Sequence, residues 1–244
     1  MVPTSSHNPN NKMAFAVIFY FSIFNIPCLI FGQKSNFIVY SDNRLSNLKT
    51  SPMHYKNKIF EEKEVRGEHF SDCQFSGCAF PKINLKFTTF NNCTFTACDL
   101  SSIDCESTGF ANCSFPESKL SNLNFLAVKF TDCDFSGAMM QNCVFEKRPG
   151  KNDLPAKKFS LISCKFEETD LSGSIFFLCD LTGVSFRNSK LEKAGFEKCT
   201  LRRANFTGAT INGAHFTDCT IEKTILDFQG FIHFGNSHGF ELNS

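Results

Sequence analysis

The chain has 244 residues, a formal net charge of +1 and only 20% charged residues. This near-neutral balance gives no general attraction to nucleic acid or to acidic lipid surfaces. The composition is unusual in its 31 phenylalanines, its 13 cysteines and its lack of tryptophan. Both excesses arise from one internal repeat that occupies most of the chain.

The N-terminal segment has the features of an export signal. Residues 14–32 carry no charge and are mostly apolar, Lys12 precedes them, and the small residue Gly32 ends them. We interpret residues 1–32 as a signal peptide, with a start at Met1 or at Met13. The alternative is an uncleaved membrane anchor through residues 14–32, because this length of apolar chain can just span a bilayer. The expected location is extracytoplasmic, either periplasmic or secreted. The polar residues 33–58 are interpreted as a spacer.

From residue 59 to residue 231 a bulky apolar residue recurs at every fifth position. The position two residues before it usually holds a cysteine, another small residue or a β-branched residue. The pattern begins faintly at Phe60 and becomes firm at Phe70. It is most regular in its second part, where the fifth-position residues are Leu161, Phe166, Leu171, Phe176, Leu181, Phe186, Leu191, Phe196, Leu201, Phe206, Ile211, Phe216, Ile221 and Leu226.

A period of five excludes both an ordinary helix and a flat strand. In an α-helix such residues would spread around the axis, and in a strand Phe166 and Leu171 would lie on opposite faces. A short extended segment followed by a corner keeps every fifth residue inside, together with the residue two before it. Four such segments close a square coil of twenty residues, and stacked coils pair as parallel strands about 4.8 Å apart.

The motif reads x-x-(Cys/Ala/Ser)-x-(Phe/Leu), as in residues 92–95 (Asn-Cys-Thr-Phe) and 203–206 (Arg-Ala-Asn-Phe). It resembles the repeat of the pentapeptide-repeat family. The resemblance implies an all-β fold, a right-handed quadrilateral β-helix, in which each coil buries its core only against its neighbours.

One interruption divides the repeat. Residues 146–158 contain two prolines and a Pro-Gly turn signal, and Leu161 follows Phe145 by 16 residues where five would continue the coil. If the surplus eleven residues, 147–157, loop out, the columns on both sides stay in register, and Phe135 continues as Phe166. The sequence therefore favours one β-helix over residues 59–231 with an inserted loop. Residues 232–244 are expected to form a tail that covers the last coil.

The cysteines fall mainly at the inward position two before the bulky residue. Cys73, Cys93, Cys113 and Cys133 are twenty residues apart and are expected to stack in one column. A disulfide framework is one interpretation, because an exported chain with an even number of cysteines favours it. Free thiols that fill the core are the other, and we favour them because stacked Cβ atoms would point in parallel rather than toward each other.

No nucleophile elbow, phosphate-binding loop or dinucleotide fingerprint is present in the sequence. We expect a non-enzymatic protein without cofactor or metal, which provides a rigid structural or protein-binding surface. The family resemblance also implies an alternative, a cytoplasmic inhibitor that mimics DNA and blocks a topoisomerase of the gyrase type. The charge argues against it, because Phe159–Leu226 carries eight basic and eight acidic residues, and a mimic of DNA needs a continuous acidic stripe. Nucleic acid is not an expected partner, and a membrane is one only if residues 14–32 are retained.

On such a rod, the candidate contact points are the places where the repeat is interrupted or the surface charge is uneven. The loop has a surplus of three positive charges, and the band from Arg187 to Arg203 has a surplus of four. Together they could form one basic patch for an acidic polymer or an acidic protein, with ordinary surface charge as the alternative. The predicted patch consists of Lys147, Arg148, Lys151, Lys157, Lys158, Arg187, Lys190, Lys193, Lys198, Arg202 and Arg203.

Overall fold

The computed structural model describes residues 17–20, 27–33, 36–40, 53–147, 157–241 and 243. The chain divides into two compact units, Met1–Ser51 and Pro52–Ser244. The first unit contains an antiparallel sheet in the order β1-β2-β3, built from β1 (Val17–Tyr20), β2 (Pro27–Gln33) and β3 (Asn36–Tyr40). Among the described residues, none of the helices has the length and apolar character needed to cross a membrane. The export role of residues 1–32 stays a prediction.

The second unit is a four-sided parallel β-helix, as the five-residue period predicts. We name its sides by the inward residue that each carries in one coil: the first side holds Phe75, the second Phe80, the third Leu85 and the fourth Phe90. Residues one coil apart pair in parallel, as Phe75 with Phe95 and Phe90 with Phe110. The register is therefore twenty residues on these sides.

The strands are short because a corner follows each inward residue. The first side contains β4 (His54–Lys56), β6 (Gln74–Ser76) and β8 (Thr94–Thr96). The third side contains β11 (Val144–Phe145), β13 (Ile175–Phe177), β15 (Gly195–Glu197) and β16 (His215–Thr217). The fourth side contains β5 (His69–Ser71), β7 (Thr89–Asn91), β9 (Gly109–Ala111), β10 (Lys129–Thr131), β12 (Phe159–Ser160) and β14 (Cys179–Asp180). The second side is joined by single bridges, from Ile59↔Ala79 to Lys190↔Thr210.

Pairing continues across the interruption on three sides. Asp134 pairs with Lys165, Met139 with Asp170 and Phe145 with Phe176. Each of these offsets is 31 residues, which equals one coil plus the eleven surplus residues inferred from the sequence. The rings of Phe135 and Phe166 stack at 5.2 Å, so the core is continuous from one part of the repeat to the other.

The inward residues from Phe75 to Ile211 are all buried, and so are most residues two positions before them. The residues two positions before the inward ones also donate hydrogen bonds to backbone carbonyls of the previous coil. The Sγ of Cys113 donates to the carbonyl of Phe90, and the Oγ of Ser118 donates to that of Phe95 at 2.7 Å. Cysteine, serine and threonine therefore tie neighbouring coils together as well as filling the core, which explains their alternation at this position.

The corners adopt a left-handed backbone. A positive φ recurs two residues after most inward residues, for example 55° at Asn92, 53° at Leu178 and 59° at Lys193. Asparagine, aspartate and glycine tolerate this region, but leucine and lysine adopt it at a cost of roughly 1–2 kcal/mol. The coil geometry therefore overrides local preference at several corners.

Both ends of the β-helix differ from the sequence-based boundaries. The first coil already begins at β4, inside the predicted spacer, and the helix α1 (Glu62–Val65) follows its second side and supplies Val65, the inward residue of its third side. At the other end the helix α2 (Phe228–Ser237) replaces the repeat, so that Phe231 lies in a helix and is exposed. Ile221 is also exposed, because no further coil covers it.

Candidate binding surface

The predicted band of basic residues surrounds the rod rather than forming one patch. Arg187 follows the inward residue of the first side, Lys190 precedes that of the second, and Lys193 and Lys198 lie at the next two corners. Arg202 and Arg203 lie at the corner after the fourth side. Since successive inward residues occupy successive sides, a band nearly one coil long must pass around all four. The structure thus corrects the expectation of a single patch with the loop.

Several of these cations also have partners. Arg202 pairs with Glu222 at 3.0 Å, and Lys198 pairs with Glu197 at 3.4 Å. The Lys198 ammonium additionally lies 5.5 Å from the ring centre of Phe177. These contacts at exposed positions contribute little to stability, but they reduce the free positive charge of the band.

The base of the loop presents a different arrangement. Arg148 and Lys151 lie outside the described residues, but Lys147, Lys157 and Lys158 converge on a groove of about 480 Å³. Lys129 completes this set, although the sequence analysis did not include it. We call this site the lysine groove; its lining is Ala127, Val128, Lys129, Phe130, Lys147, Lys157, Lys158, Phe159 and Ser160.

The regular spacing of the inward residues along the fourth side could have identified Lys129 from the sequence. It directly precedes Phe130, the last inward residue of the fourth side before the interruption, and the returning chain reaches the same side at Phe159. Among the described residues, neither Lys129 nor Lys157 forms an ion pair, while the ammonium of Lys158 donates to Thr200 Oγ1. Lys129 and Lys157 therefore give the rim of the groove a positive charge.

The groove exists because the ladder of the fourth side is interrupted there. Along this side Gly109 N donates to Thr88 O and Lys129 N donates to Thr108 O, each at 3.0 Å. The next bond of the series, from Ser160 N to Val128 O, is not formed within the described part of the chain. No bridge joins β10 to β12 in that part either. A side chain crosses the gap at the next corner instead, where Asp132 N donates to Ser163 Oγ at 2.9 Å.

The floor of the groove is apolar. Phe130 is 8% exposed and Phe159 is 5% exposed, whereas Phe135 and Phe145, in the same coil as Phe130, are fully buried. The rings of Phe130 and Phe159 meet edge to face at 6.3 Å, a longer separation than in the stacked columns. The site thus combines an aromatic floor, one missing coil-to-coil hydrogen bond and four lysines.

The thiols form a second group of chemically similar side chains. All twelve cysteines of the second unit are free, and every one except Cys219 is buried. Burial raises the pKa of Cys105 and of Cys143 to about 12, so these groups are neutral thiols at physiological pH. Reactive cysteines have lowered pKa values, and these two are therefore unsuited to nucleophilic chemistry.

The helix α2 packs on the last coil. Phe234 contacts Phe216 at 5.4 Å between ring centres, and the carboxylate of Asp227 accepts hydrogen bonds from Gly230 N at 2.8 Å and Gly208 N at 2.7 Å. These backbone donors, first Gly230 and then Gly208, lower the pKa of Asp227. Asp227 thus caps the helix and anchors it to the coil below.

Two family models match the second unit. The pentapeptide repeats model matches residues 69–104 and 110–146, and the pentapeptide repeat region model matches residues 157–226. The chain belongs to the pentapeptide-repeat family. These matches cover more than half of the chain and leave residues 147–156 between them. No significant match was found among curated proteins.

Solved structures of the family share this fold. A trypsin-treated variant of QnrB1, a plasmid-mediated fluoroquinolone resistance protein, is 16% identical, with a TM-score of 0.54 over 79% of this chain and 100% of that one. HetL, a pentapeptide repeat protein involved in heterocyst differentiation regulation from the cyanobacterium Nostoc, is 15% identical over 76% of this chain and 96% of its own, with a TM-score of 0.39. At such identities the likeness to QnrB1 establishes the β-helical fold alone. No enzyme family is indicated by these matches.

Proposed function

We propose that this protein is a non-enzymatic, exported β-helix that presents a rigid surface to a partner protein. The observation that carries the proposal is the continuity of the core across the interruption, seen in the stacking of Phe135 on Phe166 and of Phe145 on Phe176. A close-packed column of rings fixes the spacing of every outward residue. The rod can therefore hold a set of surface groups in one fixed arrangement for binding, without catalysing a reaction.

The proposed export depends on residues 14–32, whose apolar character is that of a signal segment. The test is N-terminal sequencing of native material after cell fractionation. A mature chain that begins near Gln33 in the periplasmic or secreted fraction would support export with cleavage. An intact N-terminus in the membrane fraction would support the anchored alternative. An intact chain in the cytoplasm would contradict both and would revive the cytoplasmic inhibitor.

The proposed binding role can be tested one side at a time. A photo-crosslinking amino acid is placed at outward positions of different sides, such as Ser114 on the first, Lys190 on the second and Lys129 on the fourth. A binding protein should give an adduct of one defined mass from one or two neighbouring sides. The same photo-crosslinking amino acid in place of Glu222, near the end of the repeat, serves as a comparison. A lack of adducts from every side, or equal smears from all, would contradict a specific surface.

A further inference from the structure

We propose that Asn212 is a site of spontaneous modification, at which the side-chain amide is lost and the residue becomes aspartate or isoaspartate. The inference does not depend on the proposed function. The reaction needs neither enzyme nor cofactor, and water is the only reactant besides the chain itself. Asn212 is followed by Gly213, and this is the single Asn-Gly pair in the sequence.

The reaction joins the backbone to the side chain. The Gly213 nitrogen loses its proton and attacks Cγ of Asn212, so that an N–Cγ bond forms. The bond from Cγ to the side-chain nitrogen breaks, and ammonia leaves with the proton that the backbone nitrogen lost. Water then opens the resulting succinimide. Cleavage of its N–Cγ bond gives aspartate, and cleavage of the original peptide bond gives isoaspartate. Glycine favours ring closure because it has no Cβ to crowd the ring.

The surroundings of the pair leave room for the ring. Asn212 and Gly213 lie at an exposed corner after the second side. Apart from its chain neighbours, a Cβ at Gly213 would meet only Lys193, with its Cγ at 3.5 Å. In the described part of the chain no hydrogen bond holds the Asn212 amide, whereas Oδ1 of Asn205 accepts from Thr207 N at 3.0 Å. The amide of Asn212 is therefore free to turn toward the backbone.

The Gly213 N–H differs from those of the earlier corners on the same side. Gly173 N donates to Glu192 O at 2.9 Å and Lys193 N donates to Asn212 O at 3.0 Å, in each case to the coil that follows. Gly213 belongs to the last coil, and within the described residues its N–H has no such acceptor. A bonded N–H must leave its acceptor before the nitrogen can attack. The end of the β-helix thus exposes the Asn-Gly pair to the reaction.

The products change the last coil. Either product places a carboxylate at the corner, and isoaspartate also lengthens the backbone by one methylene. The hydrogen bond from Lys193 N to residue 212 and the inward Ala214 lie directly beside this insertion. The third side follows with Phe216, against which Phe234 of α2 packs at 5.4 Å between ring centres. Conversion to isoaspartate would therefore loosen the coil that carries α2.

The experiment follows the modification in the folded protein at neutral pH by tryptic peptide mapping and mass spectrometry. Trypsin releases residues 204–223 as one peptide, which contains both Asn205 and Asn212. Replacement of ammonia by water raises the peptide mass, and fragmentation assigns the change to one of the two asparagines. We expect the change at Asn212, with Asn205 unmodified over the same period.

A matched variant tests whether the free N–H decides the rate. Ser172→Asn creates a second Asn-Gly pair at the same corner two coils earlier. There Gly173 has a φ of 69° against 70° at Gly213, but its N–H is hydrogen-bonded. In the folded variant we expect position 212 to react about tenfold faster than position 172. Equal rates at both positions of the folded variant would overturn the proposal.

Denaturation separates structure from sequence. In guanidinium chloride the two positions of the variant should react at equal rates, because glycine follows both. In the original protein, the folded rate at Asn212 should stay within about threefold of the denatured rate, because this corner needs no local opening. A folded rate far below the denatured one would contradict the proposal. Protein isoaspartyl methyltransferase should label the product, and a product without isoaspartate would exclude the succinimide route.

Discussion

The coils before and after the loop build the same core with different columns of rings. Before the loop, phenylalanines stack on the first and fourth sides, which are adjacent. After it they stack on the first and third sides, which are opposite, and leucine or isoleucine occupies the other two. The stacked pairs are Phe75–Phe95, Phe95–Phe115, Phe70–Phe90 and Phe90–Phe110 in the earlier coils, and Phe166–Phe186, Phe186–Phe206, Phe176–Phe196 and Phe196–Phe216 in the later ones.

The difference teaches that the coil requires a filled cross-section rather than a particular side for each ring. In both parts, rings of neighbouring columns meet edge to face, as Phe90 with Phe95 at 5.2 Å and Phe186 with Phe196 at 6.0 Å. The second column moves from the fourth side to the third between Phe130 and Phe145. The loop leaves the coil at the corner between those two sides, so the change of columns and the lysine groove share one level of the rod.

Truncation of a ring should give the largest effect in either part. We expect Phe115→Ala and Phe186→Ala each to lower the free energy of unfolding by about 3–5 kcal/mol, because lost transfer energy adds to the cost of a cavity. Urea denaturation followed by circular dichroism measures this. The outward control Lys190→Ala should change stability by less than about 0.5 kcal/mol. Similar shifts for inward and outward variants would break the assignment of the columns.

Alkaline pH should weaken the earlier coils more, because six of the nine described thiols with a raised pKa precede the loop. The folded pKa of Cys143 is raised by burial to about 12, so the unfolded chain ionises first. Stability is full below about pH 8.5 and then falls by roughly 1.4 kcal/mol per pH unit for each such thiol. Melting temperatures between pH 7 and 10.5 would show this. Cys143→Ser keeps a donor, as Ser174 does one coil later, and should reduce the slope.

The cap of α2 should contribute less. Asp227→Ala removes acceptors for Gly230 N and Gly208 N, and we expect a loss of about 1 kcal/mol. Because the folded pKa of Asp227 is lowered, its contribution is present above the unfolded pKa and disappears as the pH falls through the folded value. The stability gap between the two proteins should therefore close in acid. A gap of constant size from pH 6 to pH 2 would contradict the capping role.

Removing the loop should have the smallest effect on stability. Deletion of residues 147–157 restores the five-residue step, and we expect a change within about 1 kcal/mol, because a loop of this size adds little closure entropy. Thermal melting and the β-sheet signal in circular dichroism measure the outcome. Deletion of residues 146–155, one fewer, shifts the register and serves as the control. Equal destabilisation by both deletions would show that the columns do not continue across the loop.

The five-residue period was sufficient to predict the β-helix and the columns. Phe60 and Val65 were weak members of the pattern, yet both are buried, because the coil buries whatever apolar residue the step places inside. The offset of 31 residues at Phe145 and Phe176 also follows from the sequence, since it depends only on counting. Periodicity predicts these features well because one geometric constraint repeats along the whole chain.

Other features could not be predicted in this way. The left-handed corners at Phe87 and Leu178 are occupied by residues that normally avoid such a conformation, so no local signal marks them. The helix α2 contains two glycines and forms through its contact with the last coil rather than through its own propensity. The lysine groove depends on one missing hydrogen bond on the fourth side, which no residue pattern reports.

That interrupted side has a mechanical consequence. A rod with hydrogen-bonded walls on all sides resists bending equally in every direction, but at the level of Phe130 and Phe159 only three walls carry the ladder across. At that level the rod therefore bends most easily in the direction that opens or narrows the fourth side. Bending of this kind would change the separation of Phe130 and Phe159, whereas the paired spacing of the other three sides would stay fixed.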